Sequence, residues 1–227
     1  YTWVVSVTNV NLTGWSDQTV SVDDITQTLV NTSNEIQQIT YTITPEADGC
    51  VGPTFEAIIT INPKPFVPNV TETICDASGF VLSPENGVDP DASTIIPDLT
   101  LYTWSAPTLT GGIIGGSGGT DETLFDTGIL ENPTTVIQTA TYTVTPNYYD
   151  PTDLTTPLCI GDPFTITVLL SPSPEINEVV TNIACSYSSL CEATIDISPV
   201  GILPFSFNWT SLEANPIADP TAEDLVD

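Results

Sequence analysis

Ile39-Thr40-Tyr41-Thr42-Ile43-Thr44-Pro45 returns almost letter for letter as Ala140-Thr141-Tyr142-Thr143-Val144-Thr145-Pro146. In each copy Tyr and aliphatic residues alternate with Thr, the period-two pattern of a strand with one buried and one wet face, and Pro ends the ladder. The echo predicts an all-β repeat protein. Tyr1-Thr2-Trp3 matches Tyr102-Thr103-Trp104 at the same interval of 101 residues that separates Tyr41 from Tyr142, and Leu29, Asn31, Ile36 and Gln37 match Leu130, Asn132, Ile137 and Gln138 without a gap. Past the strand the interval grows to 109: Cys50-Val51-Gly52 matches Cys159-Ile160-Gly161, and Phe55, Pro63 and Pro65 match Phe164, Pro172 and Pro174. The second copy therefore carries an insertion of eight residues near Tyr148 to Pro157, expected as a loop. Ile74-Cys75 against Ala184-Cys185 marks a new module shortly after each Pro pair.

These intervals divide the 227 residues into an N-terminally incomplete module (1–65), a complete one (66–174) and a C-terminally incomplete one (175–227). Tyr1 falls in mid-module and Asp227 stops before the third module closes, so both ends are expected to be cut. No signal peptide or apolar run of about 20 residues is present, which places any targeting segment outside this stretch and predicts no direct membrane insertion.

Twenty-nine acidic residues face a single basic one, Lys64, with no His, for a net charge of −28. Nucleic acid and anionic lipid are excluded as partners, because neutralising phosphates takes Lys and Arg that the chain lacks. Charged residues make up only 13% of the chain and are scattered, so the wet surface is mostly Thr, Ser and Asn. Such a self-repelling surface suits an extracellular setting, and its one tryptic site, Lys64-Pro65, is a poor one.

Module one opens in a strand at Tyr1 to Val5 and turns at Asp48-Gly49 into a returning strand, Phe55 to Ile61. Pro63, Pro65 and Pro68 form a stiff linker. Module two has expected strands at 80–82, 99–105, 136–145 and 164–170, with turns at Pro84 to Gly87 and Asp89 to Asp91. The Gly-rich run Gly111 to Gly119 lacks the Lys and helix of a phosphate loop and is expected as a mobile connection. Module three shows alternation at Ala193 to Ile197 and at Phe205, Phe207 and Trp209. Short strands with turns every 8 to 12 residues or so predict tandem immunoglobulin-like β-sandwiches, elongated end to end, with Trp104 and Tyr142 at the centre of module two.

Five Cys in such a chain read as disulfides. Cys75 is placed at the start of a first strand and Cys159 between the last two, positions at the same end of a sandwich, which predicts a Cys75–Cys159 bridge. By the same logic Cys50 has its partner before Tyr1 and is single here. Cys185 and Cys191 either bridge locally or leave Cys185 for a partner beyond Asp227. No CxxC spacing or His supports a metal site of the zinc kind.

The inventory for catalysis is poor: no His, no Arg, one Lys and no G-x-S-x-G, so no enzymatic activity and no cofactor are expected. Adjacent acids such as Asp23-Asp24 arise by chance among so many. Calcium is the one metal considered, at Asp89 and Asp91 or Asp150 and Asp153, loop carboxylates that supply hard oxygen ligands, against a plain turn-forming role. Tyr148 and Tyr149, in the insertion, are the candidate ligand contacts, as aromatics that stack on a sugar or a partner, against simple loop anchoring; Trp15 lies in a loop region of module one. Asn11, Asn31, Asn69 and Asn208 sit in N-x-Ser/Thr sequons.

Tyr-Thr-Val/Ile-Thr-Pro, then Cys-x-Gly, Phe-Thr-Ile-Thr-Val and Asn/Ser-Pro-x-Pro together resemble the PKD-like modules of very large Bacteroidetes surface proteins. Val180 to Cys185, with Ala193-Thr194-Ile195 and Pro204 to Trp209, resembles the SprB-type repeat of the gliding-motility adhesin, departing from it at Tyr187 to Cys191. The resemblance implies a structural or adhesive segment of a long surface filament, exported by the type IX secretion system and attached to the outer-membrane gliding machinery through other parts. Its partners would be neighbouring modules and surface polysaccharide. The alternative is a spacer or carbohydrate-binding region of a secreted multidomain polysaccharide-degrading enzyme.

Overall fold

The computed structural model describes residues 1–7, 10–180, 194–200 and 225–226, and among these it is all strand, turn and loop. Module one contains β1 (Thr2–Val7), β2 (Leu12–Thr13), β3 (Val30–Asn31), β4 (Gln37–Thr44), β5 (Glu46–Ala47), β6 (Cys50–Val51) and β7 (Phe55–Ile61). The landmark repeat forms β4, the centre of an antiparallel sheet in the order β1-β4-β7. Its alternation does what the pattern demands: Gln37, Ile39, Tyr41 and Ile43 are buried while the Thr residues between them are half-exposed. Trp3 lies opposite Ile43 and joins that core with Leu12. Asp48 and Gly49 both take positive φ in the β5–β6 turn, as their sequence requires.

Module two contains β8 (Val70–Cys75), β9 (Val81–Leu82), β10 (Thr100–Trp104), β11 (Thr108–Leu109), β12 (Ile114–Gly115), β13 (Gly119–Glu122), β14 (Phe125–Asp126), β15 (Leu130–Glu131), β16 (Gln138–Asp150), β17 (Asp153–Ile160) and β18 (Phe164–Ser171). Its main sheet runs β13-β10-β16-β18-β8, with β11 and β17 also paired to β16. Every pairing in it is antiparallel except β8 with β18. The short pairs β9 with β14 and β12 with β15 supply opposing side chains, so the core closes between the layers. Phe125 sits between Trp104 and Tyr142, with ring centroids at 5.0 and 4.9 Å and the second contact edge-to-face. The expected Trp104–Tyr142 centre is there, with Phe125 as the ring that joins them.

Some contacts of the two copies repeat with the sequence. Trp3 Nε1 donates to the Ser16 carbonyl at 2.9 Å and Trp104 Nε1 to the Ser117 carbonyl at 3.0 Å, 101 residues on. Three expectations need correction. The run Gly111 to Gly119 is not a free connection: it carries β12, buries Ile113 and packs on the core. A Cβ on Gly119 would lie 2.4 Å from the Trp104 indole, so glycine is what lets backbone and ring approach. The insertion is not a loop either, because β16 continues through it and folds back as β17. Register shifts flank Tyr149, the strict alternation breaks, and Pro146 through Tyr149 are all buried.

The third correction concerns the cysteines. Cys75 ends β8 rather than starting a strand, beside Ser171 and one residue past the Leu170–Gln138 pair, whereas Cys159 pairs with Tyr148. Gln138 to Tyr148 is nearly the length of β16, roughly 30 Å at strand rise. A bridge needs Cα atoms about 6 Å apart, so Cys75 and Cys159 are free thiols at opposite ends of the sheet. Cys50 is also free and exposed.

Beyond module two, β19 (Glu175–Val180), β20 (Thr194–Val200) and β21 (Leu225–Val226) form an antiparallel sheet. Cys185, Cys191, Asn208 and the Phe205, Phe207, Trp209 face lie outside the described residues.

Candidate functional site

The linker between modules one and two is seated rather than free. Pro63 and Pro65 are buried, and Phe66 exchanges both backbone hydrogen bonds with Ile95, at 2.9 and 2.8 Å. Lys64 Nζ donates to Asp162 Oδ1 at 2.7 Å. Gly161 makes the close seat: its N–H donates to the Pro146 carbonyl, and a Cβ there would lie 2.4 Å from the Pro65 carbonyl oxygen. Gly52 repeats the bond to Pro45 in module one at 2.9 Å, so Cys-x-Gly encodes the same turn in both copies.

Beside this seat lies a groove of about 700 Å³ lined by Asn34, Glu35 and Ile36 of module one and Asp98, Leu99, Tyr148 and Pro151 of module two. Tyr148 therefore reaches a ligand-sized space, though as a buried wall and not as an exposed platform. Burial first, then the nearby acidic groups, Asp150 foremost, raises its phenol pKa and keeps it a neutral donor. Tyr149 turns away and donates to Asp121 Oδ1 at 2.8 Å. The groove offers an aromatic edge, aliphatic walls and two carboxylates, a set suited to contacts with hydroxyls or another chain.

The calcium candidates serve turns. Asp91 Oδ1 accepts from Ser93 N and Oγ at 2.7 and 2.6 Å, Asp150 Oδ1 from Thr152 at 2.7 and 2.6 Å, and Asp153 Oδ1 from Thr155 at 2.9 and 2.6 Å. Those side-chain and backbone bonds hold all three carboxyls below their ordinary value. Among the described residues no group of three or more acids, Cys or His converges as a metal site; Asp89 bonds its neighbours only through its backbone, to Glu85.

Sequence reasoning matched Asn31 with Asn132 but missed what they do. Asn132 Nδ2 donates to the carbonyls of Val136 and Leu170, both at 2.9 Å, and Oδ1 accepts from Thr134; Asn31 does the same with Glu35, Ile61 and Ser33. Each buried amide ties the loop before the central strand to the end of the strand that leaves the module. The signal was the repeat itself, Asn-x-Ser/Thr-x-x-x-Gln, of which the Asn31 copy is also a sequon. At Asn69 the side chain is also engaged, accepting from Thr165 N at 2.7 Å.

No helix among the described residues is long and apolar enough to cross a membrane. No curated protein matches the chain. The family model of the PKD-like domain matches residues 1–65 and 72–174, the two modules whose geometry repeats. Domains of this kind are typically non-catalytic, usually extracellular sandwiches with structural or adhesive roles. With two tandem copies of the fold and that match over most of its length, the chain belongs to the PKD-like domain family.

Proposed function

We propose that this chain is a non-enzymatic structural and adhesive segment of a very long bacterial cell-surface protein, a gliding-motility adhesin exported by the type IX system. The observation that carries it is the seated junction: buried Pro63 and Pro65, the bare Gly161 turn and the Lys64–Asp162 pair hold one module on the next, as a stalk requires and an independent binding domain does not. The acidic, cation-poor surface supports the same reading, since it keeps long parallel stalks apart. Fluorescent antibody labelling of this segment on live source cells tests it. Label that travels along the cell body is the expected result; static label reduces the proposal to a plain adhesive stalk, and label found only in the medium defeats it.

The groove at Tyr148 favours one other reading, a carbohydrate-binding region of a secreted polysaccharide-degrading enzyme. Glycan-array binding that disappears in Tyr148→Ala and persists in Tyr149→Ala would support that second reading.

A further inference from the structure

The groove beside the linker holds two acids that nothing in this protein satisfies. Asp91, Asp150 and Asp153 are each tied up by a Ser or Thr in a turn, but the carboxylates of Glu35 and Asp98 bond to none of the described residues. The chain's single Lys is taken by Asp162 and there is no Arg or His, so no side chain of its own neutralises them. Tyr148 lines the same groove. It is 8% exposed, and its hydroxyl has no partner among the described residues, yet unlike those of Tyr102 and Tyr142 it is not sealed in. A buried donor thus opens on the space with its bond unmade. Ile36 and Leu99, 51% and 43% exposed, supply apolar walls. Leu99 does so at a φ of 62°, a left-handed conformation costly for a bulky residue and held here by Tyr149 N, which donates to its carbonyl at 3.3 Å. Val136 and Ile137, the matches of Glu35 and Ile36 in module two, are 57% and 44% exposed, so a complete module leaves this loop open.

We propose that the groove binds a glycan bearing free amino groups, its ammonium drawn to Glu35 and Asp98, its hydroxyls to Asn34 and the Tyr148 phenol, and its CH faces to Ile36 and Leu99. This rests on the carbohydrate reading of the groove and narrows it to a class of sugar. An ammonium satisfies unpaired carboxylates in charge-assisted bonds, a gain that a neutral sugar forgoes. A uronate or sulfated chain meets two like charges on a protein of net charge −28. A Lys-bearing peptide fits less well, because Tyr148 is paired on both sides, with Thr100 and with Cys159, and its strand offers no open edge there for an extended segment to join.

The test is calorimetry of the full 227-residue chain with short oligomers of glucosamine, of N-acetylglucosamine and of a uronic acid, at about pH 5.5, where amine and carboxylates are both charged. The glucosamine oligomer is expected to bind about tenfold or more tighter than the acetylated one, and the uronate not at all. Glu35→Gln and Asp98→Asn should each weaken it about tenfold, and Tyr148→Phe, which keeps the ring in place, about fivefold. Replacing Asp23 and Asp24 together by Asn, an exposed pair elsewhere in module one, should leave binding unchanged. Equal binding of the acetylated oligomer overturns the amino-sugar assignment and leaves the carbohydrate reading standing, whereas binding of none of the sugars ends both. A loss in the Asp23 and Asp24 variant as large as in Glu35→Gln reveals attraction to net charge alone and overturns the site. A lysine oligomer that binds more tightly than the glucosamine oligomer overturns the glycan in favour of a peptide.

Discussion

Tyr41 and Tyr142 hold the same position in successive modules, yet only one hydroxyl has a partner: Tyr41 donates to Gln27 Oε1 at 2.7 Å, while the buried Tyr142 hydroxyl bonds to none of the described residues. The residue that would match Gln27 is Gly128, which has no side chain to offer. A lost bond costs while a lost orphan does not. Tyr41→Phe should therefore destabilise module one by about 1 kcal/mol, and Tyr142→Phe should leave module two unchanged or slightly more stable. Urea unfolding followed by amide exchange separately at β4 and β16 distinguishes the two.

Alkaline stability follows from the same ring. Burial, and secondarily the charge of Asp126, pushes the Tyr142 pKa up to about 12, and burial raises Tyr102 as well. A raised folded pKa stabilises fully below the unfolded value, near 10, and that contribution drains away as pH climbs through the folded one. Module two should begin to lose stability above about pH 10, and Tyr142→Phe should flatten the decline in thermal scans run across that range.

Asp76 governs the acid side. Its carboxylate accepts from Asn132 N at 2.7 Å, Ser173 Oγ at 2.9 Å and Ala77 N at 2.9 Å, clipping the end of β8 to the linker that leaves the module. The Asn132 bond foremost, then Ser173, lowers its pKa. A depressed folded pKa gives stability that is present above the unfolded value, near 4, and lost as pH falls through the lower folded one. Asp76→Asn should cost about 1 kcal/mol at neutral pH, modest because the group is partly solvated, and should reduce the acid dependence of the melting temperature.

Gly119→Ala forces a methyl group into the Trp104 indole. Since Trp104 also packs at a tilt against Phe125, displacement should cost roughly 2 kcal/mol and shift the tryptophan emission. Gly87→Ala is the comparison, because a Cβ there meets nothing within 4 Å and only its positive φ of 67° opposes the change.

The all-β class, the repeat and the long central strands of both modules were legible because period-two burial is a local property, as in Ala140 to Thr145. What failed was non-local. Tyr148 and Tyr149 look like loop aromatics between Asn147 and Asp150, but they lie in a strand paired with β17, whose Thr-rich sequence alternates too weakly to announce a partner strand. The Cys75–Cys159 expectation depended on where the first strand begins; a shift of one strand length moved Cys75 to the far end. Bonds to carbonyls, such as those from Trp3 to Ser16 and Trp104 to Ser117, leave no mark in residue identity.

The parallel pairing of β8 with β18 also decides how module two bears tension. The chain enters β8 at Val70 from Pro68 and leaves β18 at Ser171 toward Pro172, and these two points lie at opposite ends of the ladder. Pulling the neighbours apart drags the two strands past each other along their length, so the six pairs from Ile166–Val70 to Ser171–Cys75 are loaded in shear and share the force. A hairpin tugged from its open end yields one pair at a time, whereas this arrangement gives way only when all six slip together, so an end-to-end pull would meet the whole ladder at once.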